Sequence, residues 1–192
     1  MIAIIKYNGG NVHSVQNALN RLGEKSIVTD DFELIRKADK VIFPGVGEAS
    51  STMKLLKEKG LDKLIPKLTQ PVLGICLGMQ LMCGSNEEGN TMGMGIFDSN
   101  VKKFPSENIV PHMGWNTIMD LKSTLFSEIS ENDDFYFVHS YFCELSDFTT
   151  SVCDYILPFS ATLQKDNFFA AQFHPEKSGK SGSQLLKNFL KI

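Results

Sequence analysis

Apolar and polar residues alternate along the first half of the chain in blocks that predict strands followed by helices. Residues 2–6 (IAIIK), 40–45 (KVIFPG) and 71–76 (PVLGIC) are short apolar runs, typical of strands buried on both faces. Between them, apolar residues fall at helical spacing from Val12 to a stop at Gly23, and residues 48–60 repeat that pattern. A further strand at 26–29 and a helix beginning within 77–84 complete the alternation.

The second half of the chain has a different pattern. Residues 135–145 are rich in aromatic and β-branched side chains, as strands are. Residues 160–174 are typical of a hairpin that turns at 165–167, and residues 181–192 form an amphipathic helix. We therefore expect an α/β fold with a mostly parallel central sheet, helices on both faces and an antiparallel extension. No linker-like stretch divides the chain, which predicts one domain over residues 1–192.

The composition narrows the class of protein. The 192 residues are 42% hydrophobic and 21% charged, with a net charge of −3, which excludes a basic nucleic-acid footprint. The apolar runs are too short to span a bilayer or to act as a secretion signal, so we expect no membrane association. The four cysteines lack CxxC or zinc-site spacing, which indicates reduced thiols, a cytoplasmic location and no metal site.

A cysteine between two glycines marks the end of the strand at 71–76. The segment GICLG, residues 74–78, is the thiol version of a nucleophile elbow, a sharp strand-to-helix turn that exposes its central residue. The glycines are needed because a β-carbon on either side would meet neighbouring backbone. The following helix N-terminus favours a thiolate at Cys76, and the N–H of Leu77 would face a developing oxyanion. The alternative is a structural cysteine in a glycine-containing turn.

A thiolate nucleophile needs a base, and the base needs an orienting group. His174 ends an apolar strand and precedes Pro175, which keeps the segment extended. Residues two apart in an extended segment face the same side, so Glu176 can orient the His174 ring. The carboxyl ends of parallel strands meet at one edge of the sheet, which would bring this pair to Cys76.

Three segments together resemble the class I, triad-type glutamine amidotransferases, over nearly the whole chain. They are residues 44–47 (PGVG), similar to the oxyanion loop, residues 74–81, similar to the nucleophile elbow, and residues 173–176 (FHPE), similar to the histidine–glutamate segment. The resemblance implies a flavodoxin-like fold and hydrolysis of the glutamine side-chain amide through a thioester, with no cofactor. The roles it implies for the triad are nucleophile, base and orienting carboxylate for Cys76, His174 and Glu176.

The same resemblance assigns further residues to the site. Leu77 and either Gly47 or Val46 would supply the oxyanion donors, and the loop flips in such proteins, which Gly45 and Gly47 would permit. The glutamine substrate would be bound at its amino-acid end by four residues. These are Gln80, Glu88, Ser140 and Tyr141.

Two segments, PHMGWN at 111–116 and HPEKSG at 174–179, resemble the amidotransferase subunits of imidazole glycerol phosphate synthases. That resemblance implies a heterodimer with a (β/α)₈-barrel cyclase, which combines the ammonia with its nucleotide substrate to give imidazole glycerol phosphate and aminoimidazole-carboxamide ribotide. The residues it implies at the interface are His112, Trp115, Asn116 and Lys177. Gly179 departs from the pattern, which usually has serine or glutamine there.

Three other interpretations remain open at this point. The first is a related amidotransferase that supplies ammonia to a different synthase. The second is a non-catalytic regulatory relative, which the presence of Cys76, His174 and Glu176 disfavours. The third is a cysteine peptidase of similar fold, which the glutamine-binding set disfavours.

Overall fold

The structure is a computed structural model that describes residues 1–7, 11–106 and 109–192. Its α-helices are α1 (Val12–Arg21), α2 (Phe32–Lys37), α3 (Ala49–Lys59), α4 (Leu61–Leu64), α5 (Leu77–Met82) and α6 (Gly179–Lys191). Its strands are β1 (Ile2–Ile5), β2 (Ser26–Thr29), β3 (Lys40–Gly45), β4 (Val72–Cys76), β5 (Cys83–Asn86), β6 (Thr91–Met92), β7 (Phe97–Lys103), β8 (His112–Thr117), β9 (Asp134–His139), β10 (Tyr141–Cys143), β11 (Thr149–Tyr155), β12 (Leu157–Lys165) and β13 (Phe168–Ala171). Within the described ranges, no helix is both long enough and apolar enough to cross a membrane.

The central sheet has seven strands in the order β11-β12-β13-β4-β3-β1-β2. Strands β2, β1, β3, β4 and β13 run parallel, whereas β12 and β11 continue the sheet antiparallel. The predicted mixed sheet with an antiparallel extension is therefore confirmed. Smaller sheets of order β10-β7-β5-β6 and β8-β9 flank it.

Two apolar cores lie on opposite faces of the sheet, because side chains alternate along each strand. Ile2 and Ile4 of β1 pack with α1 and α6, whereas Ala3 and Ile5 pack with α2, α3, α4 and α5. All four residues are buried. Burial of both faces explains why the parallel strands are continuous apolar runs.

Several predicted boundaries were wrong, for local reasons. The helix that follows Cys76 ends at Met82, because residues 83–86 pair with β7 as strand β5. The stretch 135–145 is two strands, since the chain leaves β9 at Ser140 and joins a different sheet as β10. Helix α2 was missed because its six residues are too few to show a helical period.

The turn between β4 and α5 brings helix backbone into close contact with strand β3. A β-carbon at Gly78 would overlap the carbonyl oxygen of Phe43, and one at Gly45 would overlap the backbone N of Gly78. One at Gly74 would overlap the Met82 sulfur. The predicted clash with backbone is therefore confirmed at Gly78, whereas at Gly74 the overlapping atom belongs to a flexible side chain and the nearest backbone atom, the Met79 N, lies at 3.1 Å.

Strands β8 and β9 place two histidines directly opposite each other inside the protein. His112 Nδ1 lies 3.0 Å from His139 Nε2, and the His112 ring stacks on Tyr155 with ring centres 3.9 Å apart. Burial lowers the pKa of His112 to about 4. Burial, aided by the neighbouring histidines and opposed by a hydrogen bond with the Tyr141 carbonyl, lowers the pKa of His139 to about 3. Both rings are therefore neutral at pH 7.

Gly78→Ala should destabilise the protein by about 1–3 kcal/mol, because its methyl group meets rigid backbone at Phe43. Chemical denaturation of the purified chain measures the loss. Gly84→Ala is the matched control, since a β-carbon there would find its nearest neighbour at 3.5 Å, an ordinary contact. Equal stability of the two variants would contradict the close approach.

The free energy of unfolding should fall as the pH falls from about 6.5 toward 4. Unfolded histidine binds a proton near pH 6.5, whereas folded His112 and His139 do not, so the unfolded state takes up more protons in this window. For His139 the slope reaches at most about 1.4 kcal/mol per pH unit. Denaturation curves across the window measure it. His139→Gln should reduce the slope, and His13→Gln, at an exposed position, should not.

Candidate active site

Cys76 occupies the junction of β4 and α5 with an unusual backbone conformation. Its φ of 53° and ψ of −111° lie outside the regions that non-glycine residues ordinarily adopt. Such strain persists only where the surrounding structure imposes it, and it is a known feature of nucleophile elbows. The residue is 7% exposed, and its sulfur lies at the carboxyl edge of the parallel strands.

His174 and Glu176 form a buried pair at the same edge. His174 Nδ1 lies 2.8 Å from Glu176 Oε1, and each side chain is 1% exposed. The His174 backbone N–H donates to the Tyr136 carbonyl at 2.9 Å, which ties the segment to β9. The predicted contact between the two residues is present, but the predicted extended segment was wrong: Pro175–Lys177 is a 3₁₀ turn, and this turn brings the carboxylate to the ring.

The two nitrogens of the His174 ring differ in their partners. Within the described residues, His174 Nε2 has no hydrogen-bond partner although it is buried. Burial alone would lower the pKa of this imidazole, but the adjacent Cys76 sulfur and the Glu176 carboxylate outweigh it and raise the pKa to about 10. Because this effect depends on a negative charge at the sulfur, the ring holds a proton well once Cys76 is a thiolate.

A cavity of about 340 Å³ opens over Cys76 and His174. It is lined by both of these residues and by all the residues predicted for the oxyanion hole and for glutamine binding. The other lining residues are Val46, Gly47, Leu77, Gln80, Glu88, Pro111, Val138, His139, Ser140 and Tyr141. Glu176 lies behind His174, outside the lining. Among the described residues, no cluster of side chains is suited to hold a metal ion.

The loop 44–47 forms one wall of this cavity. The Tyr7 hydroxyl donates to the Pro44 carbonyl at 2.7 Å, so the first residue of the loop is fixed. Val46 is 40% exposed, and Gly47 has a φ of 111°, which favours glycine. Gly45 is constrained by its contact with α5 rather than by its own φ, so the freedom to turn a peptide lies at Gly47.

Glu88 and Gln80 reach the cavity with most of their hydrogen-bonding groups already occupied. Glu88 Oε2 accepts from the Ala49 backbone N–H at 2.8 Å. Burial raises the pKa of Glu88, partly offset by that bond. The Gln80 amide bonds to the Tyr141 carbonyl, to Gln172 and to Asn86.

The predicted interface residues divide into two groups. Trp115 is 57% exposed and packs edge-on against Tyr136, and Lys177 extends over that same tyrosine ring at 5.9 Å. Asn116 follows on β8 and is partly exposed, but it faces the other side of the strand, where its amide donates to the Asp154 carbonyl at 3.2 Å. His112 is 3% exposed, so the prediction of a surface role for its ring was wrong: the ring packs inside the strand pair.

Sequence reasoning missed Gln172, whose amide lies 3.7 Å from the Cys76 sulfur. The available signal was its position two residues before His174 in an extended segment, which places both side chains on one side. Val138 and His139 were also missed, because their places in the cavity depend on how β9 packs beside β8.

Comparison with known proteins agrees with this geometry. The profile of the family described as glutamine amidotransferase class-I matches residues 3–192. A protein of Bacteroides fragilis (strain YCH46), named imidazole glycerol phosphate synthase subunit HisH, is 58% identical, covering 100% of this chain and 99% of its own length. The protein of the same name from Pasteurella multocida is 47% identical, covering 98% and 96%.

Solved structures share the fold at much lower identity. A putative GMP synthase protein from Thermoplasma acidophilum is 18% identical with a TM-score of 0.77, covering 99% of this chain and 92% of its own. PurLQS from Thermotoga maritima is 16% identical with a TM-score of 0.76, covering 99% and 97%. The family match over almost the entire sequence and the full-length relatives show that this chain belongs to the class I glutamine amidotransferases.

Proposed function

We propose that this chain is the glutaminase subunit of an imidazole glycerol phosphate synthase. It hydrolyses L-glutamine to glutamate and ammonia and delivers the ammonia to a cyclase subunit. The observation that carries the proposal is the cavity in which the strained Cys76 faces the buried His174–Glu176 pair. The high identity to proteins named as HisH subunits supports the choice of synthase.

The reaction begins when His174 Nε2 accepts the thiol proton and the Cys76 sulfur attacks the side-chain amide carbon of glutamine. The oxyanion that forms is stabilised by the N–H of Leu77 and by an N–H of the loop, from Gly47 or Val46. His174 then gives its proton to the amide nitrogen, the C–N bond breaks and ammonia leaves. Glu176 keeps the imidazole oriented and stabilises its charged form.

The thioester left on Cys76 is removed by water. His174 takes a proton from the water molecule, whose oxygen attacks the thioester carbon, and the same oxyanion donors act again. The C–S bond breaks, glutamate is released, and the proton returns to the sulfur. This sequence restores the resting thiol, which donates to the Val138 carbonyl across 3.9 Å.

Polar residues of the cavity wall would bind the substrate. Glu88 keeps one carboxylate oxygen beyond its bond to Ala49 and is suited to the α-ammonium group of glutamine. Ser140 and Tyr141 offer polar groups on the opposite wall, and Gln80 completes the set from α5. No cofactor takes part in the proposed reaction.

The partner we propose is a (β/α)₈-barrel cyclase that docks on the surface formed by Trp115 and Lys177 around Tyr136, with Asn116 contributing from the other face of β8. Tryptophan is enriched among the residues that contribute most to binding at protein interfaces, and Trp115 is 57% exposed. Docking would also turn the peptide before Gly47 so that its N–H faces the oxyanion.

We further propose that residues 1–192 act as one domain in the cytoplasm, which the free cysteines favour.

Glutamate formation should require Cys76 and depend on the cyclase. We expect Cys76→Ala to lower the rate by at least about 10³-fold in the assembled complex, because no other group can form the thioester. A coupled glutamate assay with the cyclase and its nucleotide ligand measures it. Glu176→Gln should also lower kcat, by about 10²-fold or more.

Asp98→Asn, which removes an exposed carboxylate on β7, is the control for Glu176→Gln and should keep full activity. Full activity of Cys76→Ala would overturn the nucleophile assignment. A wild-type chain inactive with the cyclase but active with another synthase would overturn the choice of partner.

Trp115→Ala should weaken binding to the cyclase by about 30-fold, because an exposed tryptophan at an interface centre contributes about 2 kcal/mol or more. Titration calorimetry with the purified cyclase measures the Kd. Met92→Ala, at a similarly exposed apolar residue on β6, should leave the Kd unchanged. Equal Kd values for the wild-type chain and both variants would place the interface elsewhere.

A further inference from the structure

Gln172 is a fully buried amide that the proposed mechanism leaves without a role. It follows β13 directly, is 0% exposed, and its backbone N–H donates to the Ala161 carbonyl at 2.8 Å. Its neighbours Ala170 and Ala171 are small and apolar. An amide placed in such surroundings is costly unless each of its polar atoms has a partner.

The partners of Gln172 are two groups of the active site. Its Nε2 lies 3.7 Å from the Cys76 sulfur, within the range of a hydrogen bond to sulfur. Its Oε1 accepts from Gln80 Nε2 at 3.0 Å. The side chain therefore bridges the nucleophile and the helix that follows the elbow.

The direction in which the Gln172 amide points follows from its partners. Gln80 Nε2 also bonds to the Tyr141 carbonyl at 2.9 Å, and a carbonyl can only accept, so the NH₂ group of Gln80 must lie there. The Asn86 amide, which donates to Gln80 Oε1 at 3.4 Å, agrees with this orientation. The atom of Gln172 that meets Gln80 must then be oxygen.

An N–H of Gln172, and not an oxygen, consequently faces the Cys76 sulfur. In the resting site the thiol proton points toward the Val138 carbonyl, so the sulfur donates to one group and accepts from another. When the proton passes to His174, the contact with the Val138 carbonyl ceases to be a hydrogen bond. The bond from Gln172 persists and strengthens, because hydrogen bonds to charged acceptors are stronger.

We propose that Gln172 is a positioning residue that holds the Cys76 sulfur and stabilises its negative charge at the moment of attack, with its amide orientation set by the Tyr141 carbonyl through Gln80. The inference rests on the proposal that Cys76 is the nucleophile. It adds a donor on the sulfur to the donors already assigned to the oxyanion.

Gln172→Glu tests this assignment with almost no change in size. One carboxylate oxygen still accepts from Gln80, and the other replaces the N–H with a group that repels the thiolate. We expect kcat for glutamate formation in the cyclase complex to fall about 10- to 100-fold, while KM for glutamine changes less than about threefold. Alkylation of Cys76 by iodoacetamide should slow by about 10-fold. Gln172→Leu should show the same two effects more weakly.

Thr162→Val is the matched control, because it removes a buried polar group from the adjacent strand β12 without touching the site. It should keep wild-type kcat and alkylation rate. Wild-type rates in a folded Gln172→Glu would overturn the inference, and so would equal losses in Thr162→Val.

A spectroscopic measurement keeps the inference testable if the Gln172 variants do not fold. In the wild-type chain labelled with ¹⁵N, alkylation of Cys76 should shift the side-chain amide resonance of Gln172. The amide of Asn188, which is buried among the Leu125 and Ser127 carbonyls, should not shift. An unmoved Gln172 resonance would overturn the contact.

Cys76→Ala, assayed beside these variants, separates the two proposals. Loss of activity in Cys76→Ala together with wild-type behaviour of Gln172→Glu would overturn only the role of Gln172. Full activity in Cys76→Ala would overturn the nucleophile and the inference with it.

Discussion

The structure depends on the close contact between the turn after β4 and the neighbouring strand β3. This contact is possible only because Gly78 and Gly45 lack β-carbons that would overlap backbone atoms. The same compression forces Cys76 into a backbone conformation that non-glycine residues rarely adopt. With its backbone held in this way, Cys76 lies at the carboxyl edge of the sheet, where α5 begins with Leu77. A strained backbone at Cys76 is tolerable here because two cores on the two faces of the sheet hold β4 in place.

The parallel sheet then determines which groups can join Cys76. β3, β4 and β13 lie side by side, so the loop 44–47, the elbow and the segment that carries His174 leave the sheet at one edge. Polar side chains at this edge are buried, and most are satisfied by one another. Among the described residues, His174 Nε2 and Glu176 Oε2 are exceptions, since both are buried at this edge without a hydrogen-bond partner. The remaining wall comes from β9 and β10, which belong to other sheets.

Parts of the site that depend on residues close together in sequence could be predicted, whereas parts that depend on residues far apart in sequence could not. The elbow and the His174–Glu176 contact are local in sequence, and glycine spacing was sufficient to predict the elbow. The contact was predicted from an extended segment, whereas the structure forms it through a 3₁₀ turn over Pro175–Lys177. The parallel strands were equally visible as continuous apolar runs. Strand β8 was missed because its apolar side chains, Met113 and Trp115, are exposed, whereas His112 on its buried face is polar. The burial of His112 was missed because it depends on Tyr155, which stacks on it from a distant strand. Gln172 was missed for the same reason: its partners Cys76 and Gln80 lie more than ninety residues away in sequence.

The two sides of the nucleophile differ in their freedom to move. On one side, the amides of Gln172 and Gln80 are joined to each other and to the Tyr141 carbonyl, so reorienting one of them would break several buried hydrogen bonds. On the other side, Tyr7 fixes only the start of the loop at Pro44, while Val46 is exposed and Gly47 has the backbone freedom of glycine. If a docked protein changed the conformation of this site, the loop 44–47 would therefore move, and the amides around the sulfur would stay in place. Control of the oxyanion donors can thus be separated from the positioning of the thiol, because the two depend on different walls of one cavity.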